Sequence, residues 1–206
     1  MGRSVDFYFS CVSPWVYVGD RMFRGLVAKH DLNVIYKPVS LRTLFANTGG
    51  LPLAQRAPVR QAYRWMELQR WRDARGIEMN FKPAHWPFPT PTADHIVMAL
   101  QDGGTDPAPL ISRFLQAIWT EERNLGEDAT LSELMAEVGL PAEDLLAAAH
   151  TPEMAERHAA NTAEAAEAGV FGSPGVVLDG EVFWGQDRYE LLDAALTSGR
   201  APYRPL

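Results

Sequence analysis

The chain has 206 residues, 47% apolar and 22% charged, with a formal net charge of −7 and a single cysteine, Cys11. That length can enclose a sizeable core, as one domain or one domain carrying an insertion. No run approaches the ~18 apolar residues that would span a bilayer, the acidic balance argues against a nucleic-acid binder, and one cysteine excludes an intramolecular disulfide, a zinc cluster or a Cys-x-x-Cys redox pair.

The N-terminus shows no basic region followed by an apolar core and a small-residue cleavage site, so a cytoplasmic protein is expected. The first organised unit spans residues 4–30. Val5-Asp6-Phe7-Tyr8-Phe9 is rich in β-branched and aromatic residues and reads as a buried strand. The turn Ser10-Cys11-Val12-Ser13 follows, and Pro14 suits the first position of a helix. Trp15, Val18, Met22, Leu26 and Lys29 recur at roughly helical spacing, so the segment after Pro14 is expected to be an amphipathic helix with these on one face. Ser13 is thus expected at the N-cap. Its hydroxyl would sit at the end of the first strand, beside the positive end of a helix dipole, where anions such as a thiolate are favoured.

Asn33–Lys37 is predicted as a second strand ended by Pro38, which makes a parallel strand–helix–strand unit. A short helical piece over Leu41–Ala46 leads into the breaker cluster Asn47-Thr48-Gly49-Gly50. A long helix is predicted from Pro58 to Arg75, with Val59, Ala62, Tyr63, Met66 and the stem of Arg70 on its inner face and Gly76 at its end. Residues 55–75 hold six arginines (56, 60, 64, 70, 72 and 75), expected mostly on a solvated face. Four prolines stiffen the loop at 81–91. Helices follow at Thr92–Leu100, Pro107–Glu122, Leu131–Val138, Ala142–Ala149 and Thr151–Ala168, the last rich in Ala and Glu. His30, His85, His95, His150 and His158 show no metal-ligand spacing, so no metal site is expected.

Strand character returns at Gly175-Val176-Val177-Leu178. Asp179-Gly180 is a two-residue hairpin turn leading to Glu181-Val182-Phe183-Trp184. Asp187 opens a last helix whose inward residues are predicted to be Leu191, Leu192, Ala195 and Leu196. The order is β-α-β, a block of helices, then β-β-α. Neither end can form a stable sheet alone, so the two must meet in one four-stranded mixed sheet. The expected division is a sheet domain from residues 1–40 and 169–206 and an inserted helical domain from 41–168.

Gly169-Val170-Phe171-Gly172-Ser173-Pro174-Gly175 precedes the third strand. Pro is tolerated there at a strand start, often after a cis bond, and the backbone N–H and C=O of Ser173 could then face a peptide-like ligand. The whole order resembles the thioredoxin-like fold with a DsbA-type helical insertion. Within that group, Val5-Asp6-Phe7-Tyr8-Phe9, Ser13-Pro14-Trp15, Gly169-Val170-Phe171-Gly172-x-Pro174 and Phe183-Trp184-Gly185-Gln186-Asp187-Arg188 resemble the 2-hydroxychromene-2-carboxylate isomerases and the related kappa-class glutathione transferases. Ser13-Pro14-Trp15-Val16 also looks like the Cys-Pro-Trp-Cys of disulfide-exchange relatives with both cysteines replaced; Ser and Val cannot exchange disulfides.

The resemblance implies glutathione as cofactor and a homodimer. Ser13 would donate a hydrogen bond to the glutathione sulfur and lower its pKa. Ser173, before Pro174, would pair with the tripeptide backbone. Asp187 would take the γ-glutamyl ammonium, and Gln186 would take its carboxylate. The implied substrate is a small aromatic or unsaturated carboxylate, with Trp15, Phe45, Tyr63, Trp65 and Trp86 as candidate walls. Family members carry a lysine where Ala46 stands and an asparagine where Gly50 stands, both associated with the substrate; Asn47, Arg42, Arg60 or Arg64 are the residues here that could compensate.

The leading expectation is a glutathione-dependent isomerase of 2-hydroxychromene-2-carboxylate-like substrates. The alternatives are kappa-type glutathione transfer to another electrophile, a thioredoxin-like binding protein without catalysis, and thiol–disulfide exchange through Cys11.

Overall fold

The computed structural model describes residues 2–206. Strand β1 (Ser4–Phe9) feeds α1 (Pro14–His30), and β2 (Asn33–Pro38) returns parallel to β1, with Phe7 opposite Tyr36. After the helical block, β3 (Gly175–Leu178) pairs antiparallel with β1, and β4 (Glu181–Trp184) pairs antiparallel with β3. The sheet order is β2-β1-β3-β4, a four-stranded mixed sheet built from both ends of the chain. Asp179 and Gly180 close the β3–β4 hairpin, both at positive φ, the backbone that a type I′ turn needs.

β1 is the central strand, and its alternating side chains feed two cores. Val5, Phe7 and Phe9 face the larger core, where Phe7 stacks on Phe23 of α1 at 4.3 Å between ring centroids and meets Tyr36 edge-on at 5.9 Å. Tyr8 faces the opposite way, into a smaller cluster with Val39, Leu44, Ala165, Val170 and Val177.

Helices α2 (Leu41–Thr48), α3 (Pro58–Arg75), α4 (Pro91–Asp102), α5 (Ala108–Trp119), α6 (Asp128–Glu137), α7 (Ala142–Ala149) and α8 (Pro152–Glu167) lie between β2 and β3 in sequence. α4 and α8 pack on β2, and α5 packs on α1, so the block is seated on the sheet layer and shares the larger core. A 3-10 turn, Gln186–Arg188, precedes the last helix, α9 (Tyr189–Ser198). No helix among the described residues is long and apolar enough to cross a membrane.

Three inward faces differ from those predicted. In α1 the buried residues are Val16, Gly19, Phe23 and Leu26 along with Val18, while Trp15 and Met22 are half-buried. The helix is rotated so that Gly19 rather than a side chain meets the C-terminal turn. In α3 the inward residues are Arg64 and Leu68; Val59, Tyr63 and Met66 are exposed at 74%, 53% and 46%. That helix packs on α1, and its Arg64 and Arg72 lie over Trp86 and Phe81 of the 81–91 loop, so arginine stems rather than the apolar stripe are turned inward. In α9, Leu191 is exposed and Tyr189 is buried in its stead. α2 also runs on through Thr48, stopped by Gly49 in the left-handed conformation.

Candidate functional site

Three turns converge at the N-terminal end of α1. The first is Ser10–Ser13, at the C-terminal end of the central strand. The second is Gly172–Pro174, ahead of β3. The third is Gly185–Asp187, between β4 and α9. Ser13 occupies the N-cap position of α1, but its side chain makes no capping bond. Its hydroxyl instead donates to the carbonyl oxygen of Ser173 at 3.3 Å. In return, the hydroxyl of Ser173 accepts from the N–H of Ser10 at 3.1 Å. The Ser173–Pro174 bond is cis. Gly185 N–H donates to the carbonyl of Pro174 at 2.9 Å, which ties the third turn to the second.

Ser10, Ser13 and Ser173 are all buried. A hydroxyl not spent on capping, at a helix start that no side chain caps, is placed where an anion gains from both the O–H and the helix dipole. Val16 and Tyr17 give their N–H groups to the Ser13 carbonyl.

Asp187 is exposed, with Arg188 Nη1 2.6 Å from its carboxylate. Gln186 is buried, and its Oε1 accepts from both Nε and Nη2 of Arg75 at 3.1 and 2.9 Å. Its oxygen is therefore engaged by α3, which positions the third turn against α1. A close approach permits this: a Cβ on Gly19 would lie 2.5 Å from the Cβ of Gln186.

Of the predicted substrate-side residues, the structure brings Trp86 and Arg64 together. Trp86 Nε1 donates to the carbonyl of Val12, next to Ser13, at 3.0 Å. Arg64 lies over the indoles of Trp86 and Trp65 at 5.5 and 5.0 Å. Arg60 is exposed one turn earlier on α3, and its charge acts on Arg56, which sits over Phe45 at 5.7 Å. Asn47 is exposed on the last turn of α2, and its side chain makes no hydrogen bond among the described residues. Trp15 is half-buried, and Tyr63 points outward with Arg70 over it. A side chain at position 50 would strike the Phe45 ring, 2.8 Å from the Cβ site, so Gly50 and Phe45 share one space.

Two partners were not visible in the sequence. Asp94 of α4 is buried and accepts from the N–H of Cys11 at 3.3 Å and from Thr90 Oγ1 at 3.3 Å. It fastens the Ser10–Ser13 turn to the helical block. Its signal in the sequence was a first-turn acid of α4, beside His95 and ahead of the apolar run Ile96–Leu100. The other is Arg75, which holds Gln186. Cys11 itself is fully buried, and burial, reinforced by Asp94, holds its thiol well above the ordinary cysteine value. The described residues include no group of three or more His, Cys, Asp and Glu side chains able to hold a metal.

Residues 4–197 match the family described as DSBA-like thioredoxin domain. The chain is 25% identical over 198 residues to a 2-hydroxychromene-2-carboxylate isomerase of Sphingobium xenophagum, covering 95% of this chain and 99% of that one. It is 27% identical over 198 residues to the isomerase of the same name from Pseudomonas putida, covering 93% of each. A solved structure of a 2-hydroxychromene-2-carboxylate isomerase superposes with a TM-score of 0.81 at 24% identity, over 95% of both chains. The chain belongs to the DSBA-like thioredoxin domain family.

Proposed function

We propose that this DSBA-like protein is a glutathione-dependent isomerase of an aromatic carboxylate of the 2-hydroxychromene-2-carboxylate kind. The observation that carries the reading is the Ser13 hydroxyl: it stands at a helix start, caps nothing, and points at the Ser173 carbonyl from 3.3 Å. The curated relatives carry the isomerase name over nearly the whole of both chains, which supports the reaction class.

The residues present fit the tripeptide. The Ser173–Pro174 turn offers backbone beside the Ser13 hydroxyl, and the exposed Asp187 carboxylate stands in the neighbouring turn, tied to Pro174 through Gly185. Asp187 would hold the ammonium of glutathione, and Ser173 would pair with its backbone. Glutathione, when bound, supplies a thiol able to add reversibly to a conjugated double bond and so free it to rotate. Ser13 would turn its O–H from the Ser173 carbonyl to the sulfur, favouring the ionised form by a charge-assisted hydrogen bond. The N-terminus of α1 adds a positive dipole end at the same point. Ser13 is not the nucleophile in this scheme. Trp86 would supply a flat apolar wall next to the Ser13 turn.

The test is calorimetric titration with glutathione at millimolar concentration, followed by ultraviolet titration of the bound thiol in wild type and Ser13→Ala. The expected result is binding in both proteins, a higher thiol pKa in Ser13→Ala, and loss of turnover on a panel of unsaturated aryl carboxylates. Absence of glutathione binding to wild type, or an unchanged thiol titration, sinks the proposal.

A further inference from the structure

Arg64 is the exception among the arginines of α3. Arg70 pairs with Glu67, Arg72 with Asp73, and Arg75 with Gln186. Just before the helix, Arg56 donates to the carbonyl of Leu51. Arg60 is exposed to water. Arg64 is only 9% exposed, yet it makes no hydrogen bond or ion pair among the described residues, and its Nη1 is wholly buried without a partner. A buried guanidinium with no counter-charge is unfavourable, since desolvation is not repaid by pairing. Departures of this kind from the local rules are expected at functional sites.

The surroundings say what kind of ligand. The guanidinium lies over two indoles, Trp65 at 5.0 Å and Trp86 at 5.5 Å, so the lining is flat and aromatic. Trp86 donates to the carbonyl of Val12, the residue next to Ser13, so one indole links the cation to the turn that carries the Ser13 hydroxyl. Burial, and after it the charge of Arg56, pulls the Arg64 pKa down to about 10. A planar guanidinium fork matches a carboxylate in two-point contact, and a carboxylate conjugated to an aromatic ring can lie flat against indole faces where a tetrahedral phosphate cannot.

We infer that Arg64, on α3, is the receptor for the substrate's aryl carboxylate. This rests on the reading that the Ser13 site handles an aryl carboxylate. It adds the residue that chooses that class and predicts indifference to neutral analogues.

The test is calorimetric titration of 1-naphthoate, with 1-naphthalenemethanol as its neutral twin, into wild type, Arg64→Lys and Arg64→Met, all without glutathione. The expected result is naphthoate binding to wild type, weakened about tenfold or more in Arg64→Met. Arg64→Lys falls between the two because an ammonium lacks the fork. The alcohol binds all three proteins alike. Arg64→Met keeps the stem and removes an unpaired charge, so its Tm is expected to equal or exceed that of wild type. The inference is overturned if naphthoate does not bind wild type at millimolar concentration, if it binds Arg64→Met as well as wild type, or if wild type binds the alcohol equally. A lowered Tm in Arg64→Met also overturns it, by marking Arg64 as a structural anchor for the indoles. Glutathione is absent from these titrations, so its failure to bind at Ser13 would remove the isomerase reading and leave this result standing, and the converse holds.

Discussion

The hydroxyl of Ser13 lies 3.3 Å from the carbonyl oxygen of Ser173, a residue 160 positions later in the chain. The same serine accepts from the N–H of Ser10 through its side chain, so two polar groups of residue 173 clasp both ends of the Ser10–Ser13 turn. Ser173→Ala removes one of these contacts and strands a buried N–H. A buried donor left unsatisfied costs about 1–3 kcal/mol. Urea unfolding of Ser173→Ala is expected to show a loss in that range with an unchanged m-value, and a variant as stable as wild type would mean the turn is held by other contacts.

Two glycines of α1 give opposite outcomes on substitution by alanine. A Cβ at Gly19 would lie 2.5 Å from Gln186 and 2.8 Å from the Tyr189 ring, whereas nothing lies within 4 Å of one at Gly25. Overpacking at Gly19 costs about 1–3 kcal/mol and pushes the turn bearing Asp187 away from α1. Gly25→Ala gains up to about 1 kcal/mol of helix propensity. Thermal unfolding should therefore rank Gly25→Ala above wild type and Gly19→Ala below it. On the function proposed above, only Gly19→Ala should weaken glutathione binding. Equal Tm values for the two variants would contradict the packing described here.

The Cys11 thiol is expected to ignore Ellman's reagent in the native protein and to react at the rate of unfolding. Burial, then Asp94, raises its pKa above the ordinary 9.0 in the folded state. A raised value means that the neutral thiol's contribution to stability is complete below pH 9.0 and is lost as the pH climbs toward the folded value, because the unfolded thiol releases its proton first. Stability should thus begin to fall just above pH 9.0, before the tyrosines near 10.0 add their own terms. Cys11→Ala should flatten that first decline. Rapid labelling of the native thiol, or an identical alkaline decline in Cys11→Ala, would reject this account and revive redox chemistry at Cys11.

The fold was legible because its signals are local. β1 and β3 announce themselves by β-branched and aromatic runs, the hairpin by Asp179-Gly180, and each proline-bearing turn by its proline. The same locality brought Ser13 and Ser173 forward. The inner face of α3 was not legible: Val59, Tyr63 and Met66 follow the apolar period, yet Arg64 and Leu68 face inward. Periodicity assumes that apolar residues seek the core, and it fails where a helix turns an arginine stem inward against indoles, as Arg64 does over Trp65 and Trp86. Asp94 and Arg75 were missed for another reason. Their partners, Cys11 and Gln186, are 83 and 111 residues away, and nothing local to either residue marks the contact.

The placement of β1 at the middle of the sheet bears on how the protein is made. Its neighbour β3 begins only at Gly175. At roughly 5–20 residues per second of synthesis, a nascent chain holds β1 with one ladder edge bare for on the order of 10 s. Such an edge invites pairing with other chains. The helices emerging in between must shield it on the ribosome, or a chaperone must, until β3 arrives to complete it.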